Sequence, residues 1–264
     1  MVVLDFDKLS SIAKKNGLVF IVDNTLATPV LCRPKDLGAN VIIYSTSKYM
    51  DGHAAALGGM IVDAGTFNFK GNPRYPAFNV PDESYHGLVY ADLDVPFATK
   101  CRAQLIRDVG AIMAPMNAYI SFIGCDTLAL RMERHSENAR KVAAYLAAHP
   151  KVEWVKHPSL EDNKYHALAE KYLPKGQGGM LSFGIRGGID ECRKFMESLQ
   201  LITQETHVAD VRSCVLHPAS TTHRQLSEHE LEMAGVPANL VRLSVGIENA
   251  DDIIADIAGA LERV

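Results

Sequence analysis

Two segments, LVFIVDNT (residues 18–25) and VIIYSTSKY (residues 41–49), each join a short apolar run to a polar turn. Runs of four or five apolar and β-branched residues are typical of buried strands. A weaker run, LGGMIV, follows at residues 57–62. Short buried strands that alternate with helical stretches predict an α/β fold with a mainly parallel sheet.

A long helix predicted over residues 126–148 divides the chain into two regions. We place the boundary near residue 125, which gives one α/β region at 1–125 and a second at 126–264. The loop-rich stretch at 64–98 contains four prolines, and long irregular segments of this kind usually have a function or form an interface. In the second region the pattern predicts strands at 152–155, 180–185, 213–216 and 241–245, and helices at 163–172, 189–198, 227–233 and 250–262.

The composition is that of an ordinary globular protein without an excess of positive charge. Of 264 residues, 47% are hydrophobic and 22% are charged, and the formal net charge is −4. This balance argues against nucleic acid or an acidic membrane surface as a partner. No apolar run approaches the roughly 20 residues of a membrane helix, and no signal-peptide pattern opens the chain. The five cysteines form no CxxC pair, which favours a reducing compartment, and we expect a cytoplasmic protein.

Lys48 follows the second apolar run, within Ser45-Thr46-Ser47-Lys48-Tyr49, and has two interpretations. It could be a solvated surface lysine, or an amine that forms a Schiff base with an aldehyde. In an extended chain the hydroxyls of Ser45 and Ser47 would point to one side and Lys48 to the other. Such a pair of hydroxyls could hold a phosphate while the lysine reaches an aldehyde.

Asp23 follows the first apolar run and could be a loop-capping residue or the acidic partner of a pyridinium nitrogen. Sheets of α/β proteins place ligands at the carboxyl ends of their strands. Asp23 and Lys48 are 25 residues apart, a spacing that fits one strand–helix–strand unit. We therefore expect the two side chains to meet at one edge of the sheet.

Arg242 opens the segment RLSVG and could clamp a carboxylate with two hydrogen bonds or form a structural salt bridge. Ser213 lies upstream of it, followed by HPASTTH at residues 217–223. His217 and His223, at the two ends of that run, lack an obvious third ligand. We therefore expect no metal site.

Four segments in this order resemble the Cys/Met-metabolism family of pyridoxal-5′-phosphate (PLP) enzymes, which has fold type I. They are VDNTLATPVLCRP (residues 22–34), YSTSKYMDGH (44–53), HPASTTH (217–223) and RLSVGIE (242–248). The resemblance covers essentially the whole chain. It implies that residues 1–125 are the C-terminal remainder of the PLP-binding large domain and that 126–264 are the smaller C-terminal domain.

The resemblance also implies PLP as the cofactor and a role for each residue near the two strand ends. Lys48 would form the Schiff base with the cofactor aldehyde. Asp23 would pair with the pyridine nitrogen, with Thr25 nearby under the ring. Ser45 and Ser47 would contact the phosphate.

Within the family, the sequence looks most like the O-acetylhomoserine sulfhydrylases. That resemblance rests on PDESYHGLVY (residues 81–90), RDVGAIMAPMNAY (107–119) and LRMERHSENA (130–139). It implies that sulfide or a small thiol replaces the acetate of O-acetylhomoserine, giving homocysteine or methionine. Arg242 would bind the substrate carboxylate, with Ser213 assisting. Lys48, once displaced from the cofactor, would move the protons of the substrate.

Two alternatives remain open: another family activity, either cystathionine γ-synthase or γ-lyase, and a non-catalytic truncated remnant that associates with a full-length homologue. Family members carry roughly another third of their length before the segment that matches Met1, and they form homodimers or homotetramers. That region normally supplies a glycine-rich turn that grips the phosphate. Without it we expect the runs at 18–22 and 41–44 to expose strand edges or faces. We also expect only Ser45 and Ser47 to remain of the groups that bind the phosphate.

Overall fold

The computed structural model describes residues 2–264 and confirms the α/β class. The strands are β1 (Ile21–Asp23), β2 (Val41–Ser45), β3 (Gly59–Asp63), β4 (Val152–Lys156), β5 (Met180–Ile185), β6 (Thr203–Gln204), β7 (Cys214–Leu216) and β8 (Leu240–Ser244). The helices are α1 (Phe6–Lys15), α2 (Thr28–Leu31), α3 (Pro76–Asn79), α4 (Pro96–Lys100), α5 (Arg107–Val109), α6 (Pro115–Asp126), α7 (Leu128–Ala148), α8 (His166–Tyr172), α9 (Ile189–Ser198), α10 (Glu228–Met233) and α11 (Ala250–Glu262). No helix within the described residues has both the length and the apolar character needed to cross a membrane.

The first sheet has the strand order β1-β2-β3 and carries the two predicted strand ends. β1 and β2 are parallel, with Asp23 opposite Ile43, as the strand–helix–strand spacing predicted. β3 is antiparallel to β2, so the sheet is mixed rather than mainly parallel. The reason is the connection at 46–58, which contains turns and no crossover helix and therefore returns the chain in the opposite direction.

The exposed apolar side chains of this sheet lie on its outer strands, β1 and β3. Ile21 in β1 and Ile61 in β3 are each 46% exposed. The expectation of exposed apolar surface therefore holds for β1, but it is wrong for β2, where Val41 is 1% exposed and Ile42 is also buried. β2 is protected because it is the central strand, paired on both sides.

The second sheet has the order β4-β5-β8-β7-β6 and is antiparallel except for the β6–β7 pair. The patterns at 180–185, 189–198 and 250–262 predicted β5, α9 and α11 with the bounds observed. The pattern missed β6, a strand of two exposed residues that leaves no hydrophobic signal.

The core consists of two hydrophobic clusters joined by the long helix α7. Leu128 and Met132, in the first half of α7, pack in the cluster under the first sheet. Val142 and Leu146, in the second half, pack in the cluster under the second sheet. Ala209, far along the chain, also belongs to the first cluster. The domain boundary near residue 125 stays a prediction.

The loop-rich segment at 64–98 is organised by its own aromatic and carboxylate contacts. The rings of Phe69 and Phe78 stack with their centroids 4.0 Å apart. The carboxylate of Asp82 accepts hydrogen bonds from the Tyr90 hydroxyl at 2.7 Å and from the Gln104 amide at 2.8 Å. The Ser84 hydroxyl also donates to this carboxylate at 2.7 Å, and its hydrogen bond, with those from Tyr90 and Gln104, holds the pKa of Asp82 well below its usual range. The segment is therefore compact despite its lack of long regular elements.

Candidate active site

The end of β1 forms a tight turn that fixes Asp23. One carboxylate oxygen of Asp23 accepts a hydrogen bond from the Thr25 backbone N–H at 3.0 Å. The buried Asn24 amide donates to the carbonyls of Thr28 and Cys32, both at 3.0 Å. Thr28 has φ +57°, a strained conformation for a β-branched residue, and such strain concentrates at functional sites. One oxygen of Asp23 therefore caps the turn, as one of the two interpretations predicted. The other oxygen has no hydrogen-bond partner in residues 2–264.

The end of β2 brings hydroxyl groups together beside the same turn. The Ser45 backbone N–H donates to the Thr25 hydroxyl oxygen at 2.8 Å. The hydroxyl oxygens of Ser45 and Ser47 are 2.7 Å apart and share a hydrogen bond. The chain is not extended here, because the Lys48 N–H turns back to the Ser45 carbonyl at 3.3 Å. A turn, rather than strand alternation, therefore pairs the two hydroxyls.

Both strand ends open onto one cavity of about 530 Å³. Four of the predicted residues line it: Asp23, Thr25, Ser45 and Lys48. Other walls come from the first residues of the chain, from Leu173 and Gln177 after α8, and from Val208. The Lys48 amine makes no ion pair or hydrogen bond with any residue from 2 to 264.

Arg242 and Ser213 do not line this cavity. One Arg242 nitrogen, Nη2, donates to the Thr206 carbonyl at 2.9 Å, and burial lowers the pKa of the guanidinium. Ser213 is fully buried, and its hydroxyl accepts from the Gly246 N–H at 2.8 Å and donates to Glu248 at 3.0 Å. Because the Ser213 hydroxyl already has these two partners, it is not free for a substrate. Its role in substrate binding stays a prediction.

The segment at 206–211, which sequence reasoning missed, connects these parts. Thr206 in this segment accepts a hydrogen bond from Arg242, and Val208 lines the cavity. The Val211 N–H donates to the Gly52 carbonyl at 2.8 Å, in the loop at 46–58 that carries Lys48, which we call the lysine loop. Burial lowers the pKa of His207 in this segment, and the positive charge of Lys48 lowers it further. No periodic pattern marks the segment, so local sequence gave no signal for it.

The residues around the cavity fit the chemical groups of PLP. An unpaired amine can bond an aldehyde, a carboxylate can pair with a ring nitrogen, and clustered hydroxyls can donate to a phosphate. Lys48, Asp23 and Ser45 offer these groups at the ends of adjacent parallel strands, which lie about 4.8 Å apart. Ser47 is buried, shares a hydrogen bond with Ser45 and does not itself line the cavity. By contrast, the part of the chain that the structure describes holds no cluster of three or more potential metal ligands.

Comparison with known proteins identifies one enzyme family. The family described as "Cys/Met metabolism PLP-dependent enzyme" matches residues 1–262. The homocysteine synthase of Schizosaccharomyces pombe is 45% identical over 98% of this chain and 61% of its own length. The O-acetyl-L-homoserine sulfhydrylase of Corynebacterium glutamicum is 45% identical over 99% of this chain and 61% of its own length.

A solved structure shares the fold almost throughout. The crystal structure of a putative O-acetylhomoserine (thiol)-lyase from Campylobacter jejuni superposes with a TM-score of 0.94 at 44% identity. The match covers 99% of this chain and 63% of the other, which contains an N′-pyridoxyl-lysine-5′-monophosphate. The chain therefore spans about three fifths of the length of these relatives. On the family match and the two close relatives, it belongs to the Cys/Met-metabolism family of PLP-dependent enzymes.

Proposed function

We propose that this chain supplies the lysine-bearing part of a PLP-dependent enzyme that replaces the acetate of O-acetylhomoserine with sulfide or a small thiol. The observation that carries the proposal is the single cavity lined by Asp23, Thr25, Ser45 and Lys48. The names of the relatives, sulfhydrylase and homocysteine synthase, support the same reaction. In it the Cγ–O bond of the substrate breaks, acetate leaves, and a Cγ–S bond forms, giving homocysteine from sulfide or methionine from methanethiol.

Each residue at the cavity has a task in this proposal. Lys48 would hold the cofactor through its aldehyde and would accept and return substrate protons when its amine is free. Asp23 would hold a proton on the ring nitrogen, Ser45 and Ser47 would donate to the phosphate, and Thr25 would lie near the ring. PLP, when bound, supplies a ring that withdraws electrons from the substrate α-carbon.

Arg242 is the proposed clamp for the substrate carboxylate. Only its Nη2 has a partner among the described residues, the Thr206 carbonyl, so other guanidinium N–H groups are available for a carboxylate. The half-buried position strengthens that interaction, because charge pairs interact more strongly away from water. Ser213 would assist indirectly, by holding the Gly246 backbone that follows β8.

The absorption spectrum of the chain mixed with PLP tests the proposal. We expect a yellow imine band that is lost in Lys48→Ala and kept in the matched control Lys35→Ala, which removes an exposed lysine from the same region. Asp23→Asn should shift the band, since it removes the acid beside the ring nitrogen. No band in the unaltered chain, or a band that survives Lys48→Ala, would contradict the assignment.

Product analysis separates the reactions. O-acetylhomoserine with sulfide should yield homocysteine and acetate in equal amounts, whereas methionine alone should yield nothing. Thiol release from methionine would favour a γ-lyase, and product from cysteine in place of sulfide would favour a cystathionine γ-synthase. An imine band without any product would favour the non-catalytic alternative. Co-purification with a full-length relative then tests the proposed homo-oligomeric partner surface.

A further inference from the structure

Arg131, on the first half of α7, lies directly behind the loop that carries Lys48. Its side chain is buried, with the residue 4% exposed. Nη1 donates to the Tyr49 carbonyl at 2.6 Å, and Nη2 donates to the carbonyls of Met50 at 3.3 Å and Gly124 at 2.5 Å. The guanidinium therefore holds the main chain of the two residues that immediately follow Lys48.

The charge of Arg131 is balanced by backbone dipoles rather than by a bonded carboxylate. It forms no salt bridge with any residue from 2 to 264, and burial lowers its pKa. The nearby Asp51 carboxylate raises that pKa and is itself buried. Asp51 accepts hydrogen bonds from the N–H groups of Ala55 at 2.8 Å and Ala56 at 3.2 Å, so it holds the far side of the same loop. Taking a charge out of water is costly, and here the carbonyls that accept from the guanidinium offset that cost.

The lysine loop is shaped to fit this guanidinium. A side chain at Gly52 would place its Cβ against Nη1 of Arg131, and Gly52 has φ +75°, which favours glycine. The Gly52 N–H donates to the Lys48 carbonyl at 2.7 Å and closes a turn over Arg131. The part of the lysine loop from Lys48 to Gly52 thus passes over Arg131.

We propose that Arg131 is a positioning residue for Lys48, which aims the lysine amine into the cavity by fixing the carbonyls of Tyr49 and Met50. The inference rests on the proposed function, because it gives Lys48 the task of bonding the cofactor. A side chain that cannot hold two carbonyls at once releases the turn and lets the amine move. Misplacement of a reacting group by about 1 Å can cost roughly a hundredfold in rate.

The test compares Arg131→Met and Arg131→Lys with the control Arg134→Met. Arg134 lies on the same helix, but its side chain is 54% exposed. One readout is the rate at which borohydride traps PLP on position 48. The other is the labelling of Lys48 by acetic anhydride in cofactor-free protein, relative to exposed lysines. Thermal melting of each variant reports folding.

We expect Arg131→Met to slow trapping at Lys48 by about ten- to a hundredfold and to change its labelling, with Arg134→Met unchanged. Arg131→Lys, which can bond one carbonyl at a time, should lie between. If Arg131→Met fails to fold, the lysine variant decides the question. A folded variant that is trapped and labelled at the original rate would overturn the inference. Absence of trapping in the unaltered chain would instead overturn the proposed function, and the labelling would still test Arg131.

Discussion

Helix α6 approaches the lysine loop closely at Gly124, and adding one methyl group there should measure how tightly the loop is held. A Cβ at Gly124 would lie 2.5 Å from the Asp51 carbonyl oxygen and closer still to that of Met50. Both are backbone atoms that cannot rotate away, so α6 and the loop must separate by about 1 Å to reach ordinary contact. Overpacking of this kind costs about 1–3 kcal/mol.

The matched control is Gly259→Ala in α11. A Cβ at Gly259 meets nothing within 4 Å, so alanine should stabilise that helix by about 1 kcal/mol through helix propensity alone. Gly124→Ala gains a similar propensity contribution but also carries the cost of the clash. The free energies of unfolding of the two variants should therefore differ by about 1–3 kcal/mol, which urea denaturation can resolve. Equal stability of the two variants would refute the close contact between α6 and the lysine loop.

Three further predictions concern other buried or strained groups. Burial lowers the pKa of His135 to about 4, while the unfolded chain binds that proton near pH 6.5, so this group alone should lower the free energy of unfolding by about 3 kcal/mol from pH 6.5 to 4. His135→Gln should remove about one proton from that dependence, measured by urea titrations at several pH values. Ala54 is exposed with φ +53°, so Ala54→Gly should raise thermal stability by up to about 1 kcal/mol. Asp51→Asn replaces a carboxylate that accepts two backbone N–H groups and should cost about 1–3 kcal/mol in urea denaturation.

Each of these predictions has an opposite outcome that contradicts its premise. An unchanged pH slope in His135→Gln would mean that this histidine can take up a proton in the folded protein. A loss of stability in Ala54→Gly would show that the left-handed conformation is not strained. If the Asp51→Asn variant were as stable as the original, the Asp51 carboxylate would not be what holds the loop.

The two strand ends could be predicted from sequence because their signals are local. An apolar run followed by a polar turn identifies each strand, and the 25-residue spacing brings Asp23 and Lys48 to one sheet edge. α9 was predicted for the same reason, since its apolar residues recur at helical spacing.

Features that depend on distant parts of the chain could not be predicted. Arg131 bonds the Tyr49 carbonyl across 82 residues, and no local pattern encodes that pairing. The antiparallel direction of β3 depends on the path of a loop, and the burial of β2 on its place in the middle of the sheet. The segment at 206–211 reaches the site only because the second region of the chain folds back against the first.

The most direct test of the account is to reduce the PLP-treated chain with borohydride, digest it, and locate the pyridoxyl group by mass spectrometry. We expect one modified peptide, with the added mass on Lys48, because this amine lines the cavity and has no partner among the described residues. A pyridoxyl group on a different lysine, or spread evenly over many surface lysines, would contradict it.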